Sequence, residues 1–390
     1  MKHFKNIFRT IFATAISLFI PMNSLGHEAD MSGMDSVEVS LITCSPHEEI
    51  YSLYGHSAIR IRDTRNHVDC IFNYGEFNFK APYFTLRFIF GKTDYMLGLA
   101  PTMPFLNYYK EWGSQVTEQV LNLTAEEKLD IINALAVNYK PENRIYRYNF
   151  FYDNCSTRPR DIIEKNLRGK IVFNPRGDYK PSYREIINEK TKRHPWATLA
   201  NNLLLGINAD RKTTQREQHF LPENLRYDFS NAVIERSGGK VPLVKECRQL
   251  VSPGVQVIEE DFPLTPLQCS VILLLISIAI LLYELMKKKI VRWFDAILML
   301  LTGVCGFALF VMIFSEHPAT SVNLQILILN PLSILFIRPV LKGRKTVWFH
   351  ISFALTVLFY IGGIWQDYAE GMEIVALCLL LRYLRHYNDK

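Results

Sequence analysis

The feature that most constrains the fold is a succession of apolar stretches in the last third of the chain. We identify five, each close to the roughly 20 residues that a bilayer-crossing helix requires, with the last the shortest. They are Leu267–Met286, Trp293–Phe314, Asn323–Leu341, Val347–Trp365 and Met372–Tyr387. The sequence therefore predicts a protein integral to the membrane, with an all-α transmembrane bundle of five helices over residues 267–390.

The basic residues of this part predict its orientation. Eleven Lys and Arg lie after the first span, around the end of the third and at the end of the fifth (287–292, 338–345 and 382–390). The other two connections, 315–321 and 366–371, contain none. Because basic loops remain in the cytoplasm, an odd number of spans places the C-terminus in the cytoplasm and the whole preceding domain outside.

The start of the chain predicts the same export. Two lysines precede the short apolar stretch Ile11–Met22, and Ser24 and Gly26 supply the small residues of a cleavage site. We interpret residues 1–26 as a signal peptide that is cleaved after Gly26. The alternative is an uncleaved N-terminal anchor, and either one exports the domain that follows.

The exported domain covers residues 27–250 and continues into a Pro-containing linker, 251–266. Of the 44 Lys and Arg in the chain, three lie before residue 27 and eleven after residue 265, which leaves 30 against 31 acidic residues in between. A nucleic-acid-binding protein concentrates positive charge in its folded domain. The sequence therefore predicts no nucleic-acid partner.

The hydrophobic periodicity of the exported domain predicts an α+β fold. Alternating apolar residues are typical of strands, and a Thr-x-x-Glu capping box marks the beginning of a helix at Thr124. The predicted strands are Ser36–Cys44, His56–Arg62 and Val68–Gly75, and the predicted helices are Thr124–Tyr139 and Cys155–Leu167.

Four of the seven cysteines lie in the exported domain, in a compartment where disulfides form. They show no CxxC pattern, and the histidines lack metal-ligand spacing, so we predict no metal and no cofactor. Cys44 and Cys70 lie on neighbouring predicted strands, and we predict that they form a disulfide. We then expect no disulfide between Cys247 and Cys155.

Cys155 is the candidate nucleophile. It follows Asp153 and Asn154 at the predicted start of a helix, where the helix dipole and the free backbone N–H groups favour the thiolate. Arg158 adds positive charge in the first turn, and the same N–H groups suit an oxyanion. The alternative is a disulfide-bonded cysteine that happens to precede a helix.

His56 is the candidate base for this thiol. It begins a predicted strand on the face that it shares with Ala58, and a neutral imidazole there would take the proton of Cys155. Asn73 and Asp69 lie on one face of the paired strand, and a register with residue 58 opposite Asn73 favours Asn73 as the third, orienting residue. The alternative is a surface histidine with a structural role.

Polar residues in the bundle suggest a second part of the site. His317, Asn323 and Asn330 lie at or inside the predicted outer leaflet, where a polar side chain is costly without a partner. With Arg158, they are candidate substrate-binding residues for a lipid headgroup or acyl chain. Hydrogen bonding between helices is the alternative.

A histidine on one strand, a polar residue on the next and Asn-Cys at a helix start resemble the circularly permuted NlpC-type (papain-like) cysteine enzymes, including the lecithin:retinol acyltransferase group. The chain more closely resembles the Lnb-type lipoprotein N-acyltransferases of Gram-negative bacteria, whose periplasmic domain precedes a membrane bundle. The matching stretches, between about residues 40 and 335, are LITCSPHEEIYSLYGHSAIRI, FNYGEFNF, YRYNFFYDNCSTRPRD, LLLGINADR, FLPENLR and SEHPATSVNLQILILNPL. Pro46-His47 departs from the Pro-Gly expected of the family.

This resemblance implies an inner-membrane enzyme with Cys155 as nucleophile and His56 as base. It further implies that an acyl chain passes from a membrane phospholipid, through a Cys thioester, to the α-amine of a diacylglyceryl-cysteine at the N-terminus of a lipoprotein. The residues by themselves leave two alternatives: a membrane-anchored cysteine amidase or peptidase of the cell wall, and a non-catalytic membrane-bound binding module.

The charge asymmetry leads to a testable prediction of topology. A reporter enzyme fused after Lys390 should be active only as a cytoplasmic protein, and one fused near Val257 only as a periplasmic protein, because basic loops resist translocation. Reporter pairs that require one or the other compartment would measure this. A periplasmic C-terminus would show that one of the five predicted spans, most simply the short last one, does not cross the membrane.

Overall fold

The computed structural model describes residues 31–387 apart from 48, 50, 51, 78–81, 84, 85, 88, 89, 178, 257–261 and 345. The predicted signal peptide, 1–26, lies outside the described residues. The strands are β1 Val37–Cys44, β2 His56–Asp63, β3 Val68–Glu76, β4 Asp94–Pro101, β5 Val116–Leu121, β6 Ile145–Arg147, β7 Lys170–Val172, β8 Val233–Arg236, β9 Gly239–Pro242 and β10 Val244–Val251. The α-helices are α1 Thr102–Glu111, α2 Ala125–Tyr139, α3 Thr157–Lys165, α4 Tyr183–Thr191, α5 Pro195–Leu204, α6 Pro222–Asn231, α7 Pro266–Lys287, α8 Arg292–Met312, α9 Ser333–Leu341, α10 Trp348–Gly362 and α11 Met372–Tyr387.

The exported domain is built on an antiparallel sheet with the strand order β10-β5-β1-β2-β3-β4-β6, beside a smaller sheet of β7, β8 and β9. The three predicted strands are confirmed to within one residue at each end. Alternation places Val37, Val39 and Leu41 of β1 in one core, and Ile42 and Cys44 in the core on the opposite face. Both faces of the sheet are therefore covered.

The helix predicted from the capping box is also confirmed. Thr124 caps α2 by accepting a hydrogen bond from the backbone N–H of Glu127, and the Glu127 carboxylate accepts one from the Thr124 N–H. Strands and helices together give the α+β content that the sequence predicts. The circular permutation of a papain-like fold stays a prediction.

One end of the large sheet, which we call the proximal end, faces the membrane part of the chain. It is formed by the strand termini Cys44, His56, Glu76, Asp94, Val116, Arg147 and Val251. Arg147 forms an ion pair with Glu316 at 2.9 Å, and the backbone N–H of Glu316 donates to the carbonyl of Phe90. The chain also leaves β10 at this end, on its way to α7.

The C-terminal part is helical, and α7 and α8 are each long and apolar enough to cross a membrane. The shorter α10 is also apolar. The third predicted span, Asn323–Leu341, is interrupted: a 3₁₀ turn over Leu324–Leu327 precedes α9. Pro331 separates the two pieces, since proline has no N–H to continue a helix. The count of five membrane-crossing helices stays a prediction.

The exported domain is fixed to this broken segment by buried hydrogen bonds. The side chain of Asn323 donates to the carbonyl of Leu203 at 2.7 Å, and that of Gln325 donates to the carbonyl of Asn202 at 2.9 Å. The backbone N–H of Gly206 donates to the carbonyl of Ala319. The contacts involve the connection that contains no Lys or Arg, which agrees with the predicted orientation.

The predicted disulfide between Cys44 and Cys70 is wrong. Both thiols are free and lie on β1 and β3, with β2 between them. Cys70 is opposite Ile61, which is opposite Val39, five residues away from Cys44 along β1. Two strand spacings of about 4.8 Å and five residues of about 3.3 Å exceed the reach of a disulfide. Every cysteine in the described part of the chain is free, Cys155 included.

The buried junction can be weakened by one substitution. Gln325→Leu keeps the approximate volume but leaves the N–H of Ala369 and the carbonyl of Asn202 without this partner. We expect the local free energy of opening to fall by about 1–3 kcal/mol, the cost of unsatisfied buried groups. Hydrogen exchange of the Gly206 and Ile207 amides, followed by mass spectrometry, should become faster. The control is Gln249→Leu, at an exposed position, and equal protection in both variants would refute the role of Gln325.

Candidate active site

His56 stands at the proximal end of β2, directly opposite Cys44 of β1. The preceding Gly55 has a φ of +76°, and a Cβ on it would lie 2.8 Å from the carbonyl oxygen of Cys44. Only glycine fits this turn without strain. The turn therefore sets where β2 begins, and with it the position of the imidazole. His56 is partly buried.

Asn73 of β3 contacts this imidazole directly. Ile59 lies opposite Phe72, so the register puts Asn73 diagonal to His56, as the sequence predicts. The Nε2 of His56 lies 2.5 Å from the Oδ1 of Asn73. Because an amide oxygen only accepts, Nε2 carries the proton in this bond, and Nδ1 is left for the thiol.

Asp69, the other candidate for the orienting residue, is engaged elsewhere. Its carboxylate accepts two hydrogen bonds from the guanidinium of Arg60 and one from the hydroxyl of Thr102. Arg60 in turn reaches the buried carboxylate of Glu118. Asp69 therefore belongs to a charge network in the middle of the sheet. Asp63, at the end of β2, is bonded to the N–H groups of the following turn.

Cys155 is positioned by the residue before it. The Oδ1 of the buried Asn154 accepts the N–H groups of Ser156 and Thr157 at 2.8 and 2.9 Å, and its amide group donates to the carbonyls of Phe150 and Phe220. These bonds fix the turn that carries the thiol. They lie directly before α3, which begins at Thr157, two residues later than the predicted start at Cys155.

Gly75 lies where His56 and Cys155 meet. A Cβ on Gly75 would be 3.5 Å from Cε1 of His56 and 3.6 Å from Cβ of Cys155. Its φ is +112°, and it sits at a β-bulge in the pairing of β3 with β4. Sequence analysis missed this residue, although an isolated glycine inside a strand indicates a bulge or a close approach.

The thiol and the imidazole perturb each other. Burial raises the pKa of the Cys155 thiol, but the charge and hydrogen bond of His56, with the N–H groups of Ser57 and Cys155, hold it below its usual value. Burial lowers the pKa of His56, yet the thiolate, the bond to Asn73 and the charge of Glu76 raise it overall. Both shifts favour a thiolate beside an imidazolium.

The backbone N–H groups that donate to the sulfur of Cys155 differ from those that the sequence suggests. We expected the free N–H groups of the helix start to hold an oxyanion, but those of Ser156 and Thr157 are bonded to Asn154. The N–H groups that reach the sulfur are those of Ser57, on β2, and of Cys155 itself. Ser57 was not among the predicted residues, because only the folded sheet brings β2 to the helix.

Two family models match the chain. Residues 29–189 match the Lnb N-terminal periplasmic domain, and residues 257–390 match the Lnb transmembrane domain. The chain belongs to the Lnb family. No curated protein and no solved structure is significantly similar to it. Membership of the Lnb family makes this a membrane protein with a periplasmic domain, and His56, Asn73 and Cys155 all lie within the match to that domain.

Arg158, a predicted substrate-binding residue, is paired within the Lnb periplasmic domain. Its guanidinium donates to both carboxylate oxygens of Asp153, at 2.6 and 2.8 Å, and lies 3.7 Å from the ring centre of Tyr146. This arrangement holds Arg158 against the loop that carries Cys155. A role in substrate binding stays a prediction.

The contacts described for the three polar residues of the bundle lie at the junction with the periplasmic domain, before α9 and at Gly91. Asn323 is buried, accepts from Gln366 and holds the junction. Asn330 accepts the N–H of Leu332 just before α9. The backbone of His317 lies against Gly91. The predicted binding roles of His317, Asn323 and Asn330 stay predictions.

The site is nevertheless next to the bundle. Phe150 and Phe151, which precede Cys155, pack in one cluster with Ala319. Ala319 belongs to the connection 315–321, which we call the outer connection. The hydroxyl of Tyr54, two residues before His56, accepts a hydrogen bond from the side chain of Asn201 on α5. Helix α5 itself contacts the bundle, because the carbonyls of Asn202 and Leu203 accept hydrogen bonds from Gln325 and Asn323. Among the described residues, no group of three or more His, Cys, Asp or Glu side chains is placed to hold a metal ion.

The lowered pKa of Cys155 predicts its reactivity toward iodoacetamide. A lowered pKa leaves the thiolate present at a pH where an ordinary thiol, with a pKa of about 8.5, is protonated. Alkylation of Cys155 should therefore persist at lower pH than that of glutathione, and should fall only when the pH drops through the lowered pKa. Peptide mass spectrometry of the intact protein at several pH values measures this.

Removal of the imidazole tests the cause of that shift. In His56→Gln, the pH below which alkylation of Cys155 falls should be higher. For each unit by which the pKa of the thiol rises, the fraction of thiolate at neutral pH should fall roughly tenfold. Asn73→Ala should shift it less, because it removes only a partner of His56. The same profile for wild type and His56→Gln would contradict the contact between the two side chains.

Proposed function

We propose that this Lnb-family protein is a cysteine-dependent lipoprotein N-acyltransferase of the inner membrane. The observation that supports this most is the contact of Cys155, His56 and Asn73 at the end of the periplasmic sheet that faces the bundle. The proposed acyl donor is a membrane phospholipid. The proposed acceptor is the α-amine of the diacylglyceryl-cysteine at the N-terminus of a lipoprotein.

The first half-reaction forms a thioester. The thiolate of Cys155 attacks the ester carbonyl of the phospholipid, and the resulting oxyanion lies near the N–H groups of Ser57 and Cys155. Collapse of this intermediate breaks the bond to the alcohol oxygen. The imidazolium of His56 gives its proton to that oxygen, so a lysophospholipid leaves and the acyl chain stays on sulfur.

The second half-reaction transfers the chain to nitrogen. The lipoprotein amine attacks the thioester carbonyl, and neutral His56 takes a proton from the attacking nitrogen. The C–S bond breaks, an amide is released, and the thiolate–imidazolium pair is restored. A thioester suits this step because it reacts readily with amines. Asn73 keeps the imidazole in the tautomer and orientation that both steps need.

The docking of the periplasmic domain favours lipid substrates over cell-wall peptides. An anchored amidase needs one span as a tether, whereas here Asn323, Gln325 and Gln366 form buried hydrogen bonds to the periplasmic domain. Such a junction holds the site at a constant height above the bilayer. Both proposed substrates are confined to that bilayer, so lateral diffusion would deliver them.

The function is tested on lipoprotein N-termini from cells that depend on this protein for N-acylation. Cys155→Ala and His56→Ala should each abolish the N-acyl group in mass spectra, and the double variant should be little worse, because residues of one catalytic unit are not additive. Cys155→Ser should also fail, since an alkoxide is harder to generate than a thiolate. Asn73→Ala should retain partial activity. Cys247→Ala, at an exposed cysteine, is the matched control.

One result would contradict the proposal, and another would invalidate the assay. Retention of N-acyl lipoproteins by Cys155→Ala would exclude a thioester on this residue. Loss of N-acylation in the Cys247→Ala control would show that the assay reports folding rather than chemistry. Trapping of an acyl chain on Cys155, by mass spectrometry of protein incubated with phospholipid alone, would support the first half-reaction directly.

A further inference from the structure

An exposed apolar surface lies beside the site on the proximal end of the sheet. Helix α1 packs on the same sheet face as Ala58 and ends at this end of the sheet, at Trp112. Tyr108 is 43% exposed, Trp112 is 36% exposed and Val255 is 93% exposed. We call these three residues the aromatic patch. Contiguous exposed apolar surface is typical of sites that contact a membrane, a partner or a ligand.

The aromatic patch is built firmly into the protein. The ring of His47 stacks on Trp112 with 4.7 Å between ring centres. A Cβ on Gly113 would lie 2.6 Å from the carbonyl oxygen of Val255, and the N–H of Gly254 donates to the carbonyl of Gly113. The linker segment is therefore held against the end of α1, and the patch is a preformed surface.

The location of the patch indicates what covers it. The chain passes from Val255 to the start of α7 at Pro266, a helix long and apolar enough to cross a membrane. Phe262 and Leu264, on this path, are also exposed. The opposite edge of the same sheet end contacts the outer connection through Arg147 and Glu316. The aromatic patch and these two attachments all lie at the proximal end of the sheet.

The patch also leads to the reacting groups. Tyr108 makes an edge-to-face contact with the buried Tyr109, with 5.2 Å between ring centres. Tyr109 in turn lies parallel to the imidazole of His56, with ring centres 6.4 Å apart. Tyr108 and Tyr109 thus connect the exposed surface to the imidazole of His56, the base of the proposed reaction.

We propose that the aromatic patch rests in the outer leaflet of the membrane and that phospholipid donors reach Cys155 along it. Tyr and Trp are suited to this layer because each combines an apolar ring with a polar group, as in the aromatic belts of membrane proteins. Such a contact lets the ester of a phospholipid approach the thiol while its acyl chains stay in the bilayer. This inference rests on the proposed function for the identity of the donor, but the membrane contact itself does not.

Fluorescence tests the contact without any reference to activity. The full chain is reconstituted in phosphatidylcholine nanodiscs with and without brominated acyl chains, and the emission of Trp112 is taken as the difference between wild type and Trp112→Phe. We expect this emission to be quenched by the brominated lipid and shielded from acrylamide in water. Quenching by acrylamide alone, or by neither agent as in a contact with protein, would overturn the proposal.

The same measurement separates this inference from the proposed function. The quenching should be unchanged in Cys155→Ala, because it does not depend on the thiol. Quenching by brominated lipid in a protein that fails to acylate lipoproteins would support the membrane contact and reject only the acyltransferase activity.

Kinetics test the delivery of lipid. In vesicles, Tyr108→Ser combined with Trp112→Ser should raise the phospholipid concentration for half-maximal acylation roughly three- to tenfold, as expected when partly buried aromatic area is lost. The rate at saturating lipid and the alkylation of Cys155 by iodoacetamide should be unchanged. Tyr227→Ser, at a tyrosine that is 56% exposed on α6, is the matched control and should have no effect. An unchanged lipid dependence in the double variant would overturn the role in delivery.

Discussion

The buried hydrogen bonds between the periplasmic domain and the membrane bundle are the interaction on which the rest of the arrangement depends. The carbonyls of Asn202, Leu203 and Leu205 accept from side chains of the broken third segment and from Gln366. Buried polar groups are costly unless they are paired. The periplasmic domain and the bundle therefore each supply hydrogen-bond partners for buried polar groups of the other. Separation of the two would leave all of these groups without their partners at once. The periplasmic domain is thereby held at one height and in one orientation.

This fixed orientation gives the Cys–His pair its place. The pair lies at the sheet end that faces the bundle, between a turn fixed by Asn154 and a strand that begins after Gly55. Gly75 lies beside both side chains, and its φ of +112° is a backbone conformation that favours glycine. Their electrostatic effects reinforce each other, since a thiolate stabilises an imidazolium and the reverse holds as well. Neither residue would have the same chemistry by itself.

The proposed chemistry and the proposed membrane contact place the same requirement on the fold. A diacyl lipid and a lipidated protein both keep their chains in the bilayer, so the catalytic groups must reach the leaflet. A soluble cysteine enzyme on a flexible tether would seldom hold its thiol at that height. The ion pair of Arg147 with Glu316 on one edge and the linker on the other attach this end of the sheet to the membrane part of the chain. In the proposed membrane contact, the aromatic patch lies in the leaflet at this same end of the sheet.

The sequence by itself determined the features that depend on local pattern. Loop charge predicts the orientation of the spans, alternation predicts β1, β2 and β3, and the capping box predicts where α2 begins, because each depends on residues close together in the chain. The strand register further favoured Asn73 over Asp69 as the partner of His56. The tertiary structure decided whatever depends on residues far apart: that Cys44 and Cys70 are separated by β2, and that Ser57 supplies a donor at the sulfur. Those outcomes depend on which distant groups satisfy one another on burial, and no local pattern encodes that pairing.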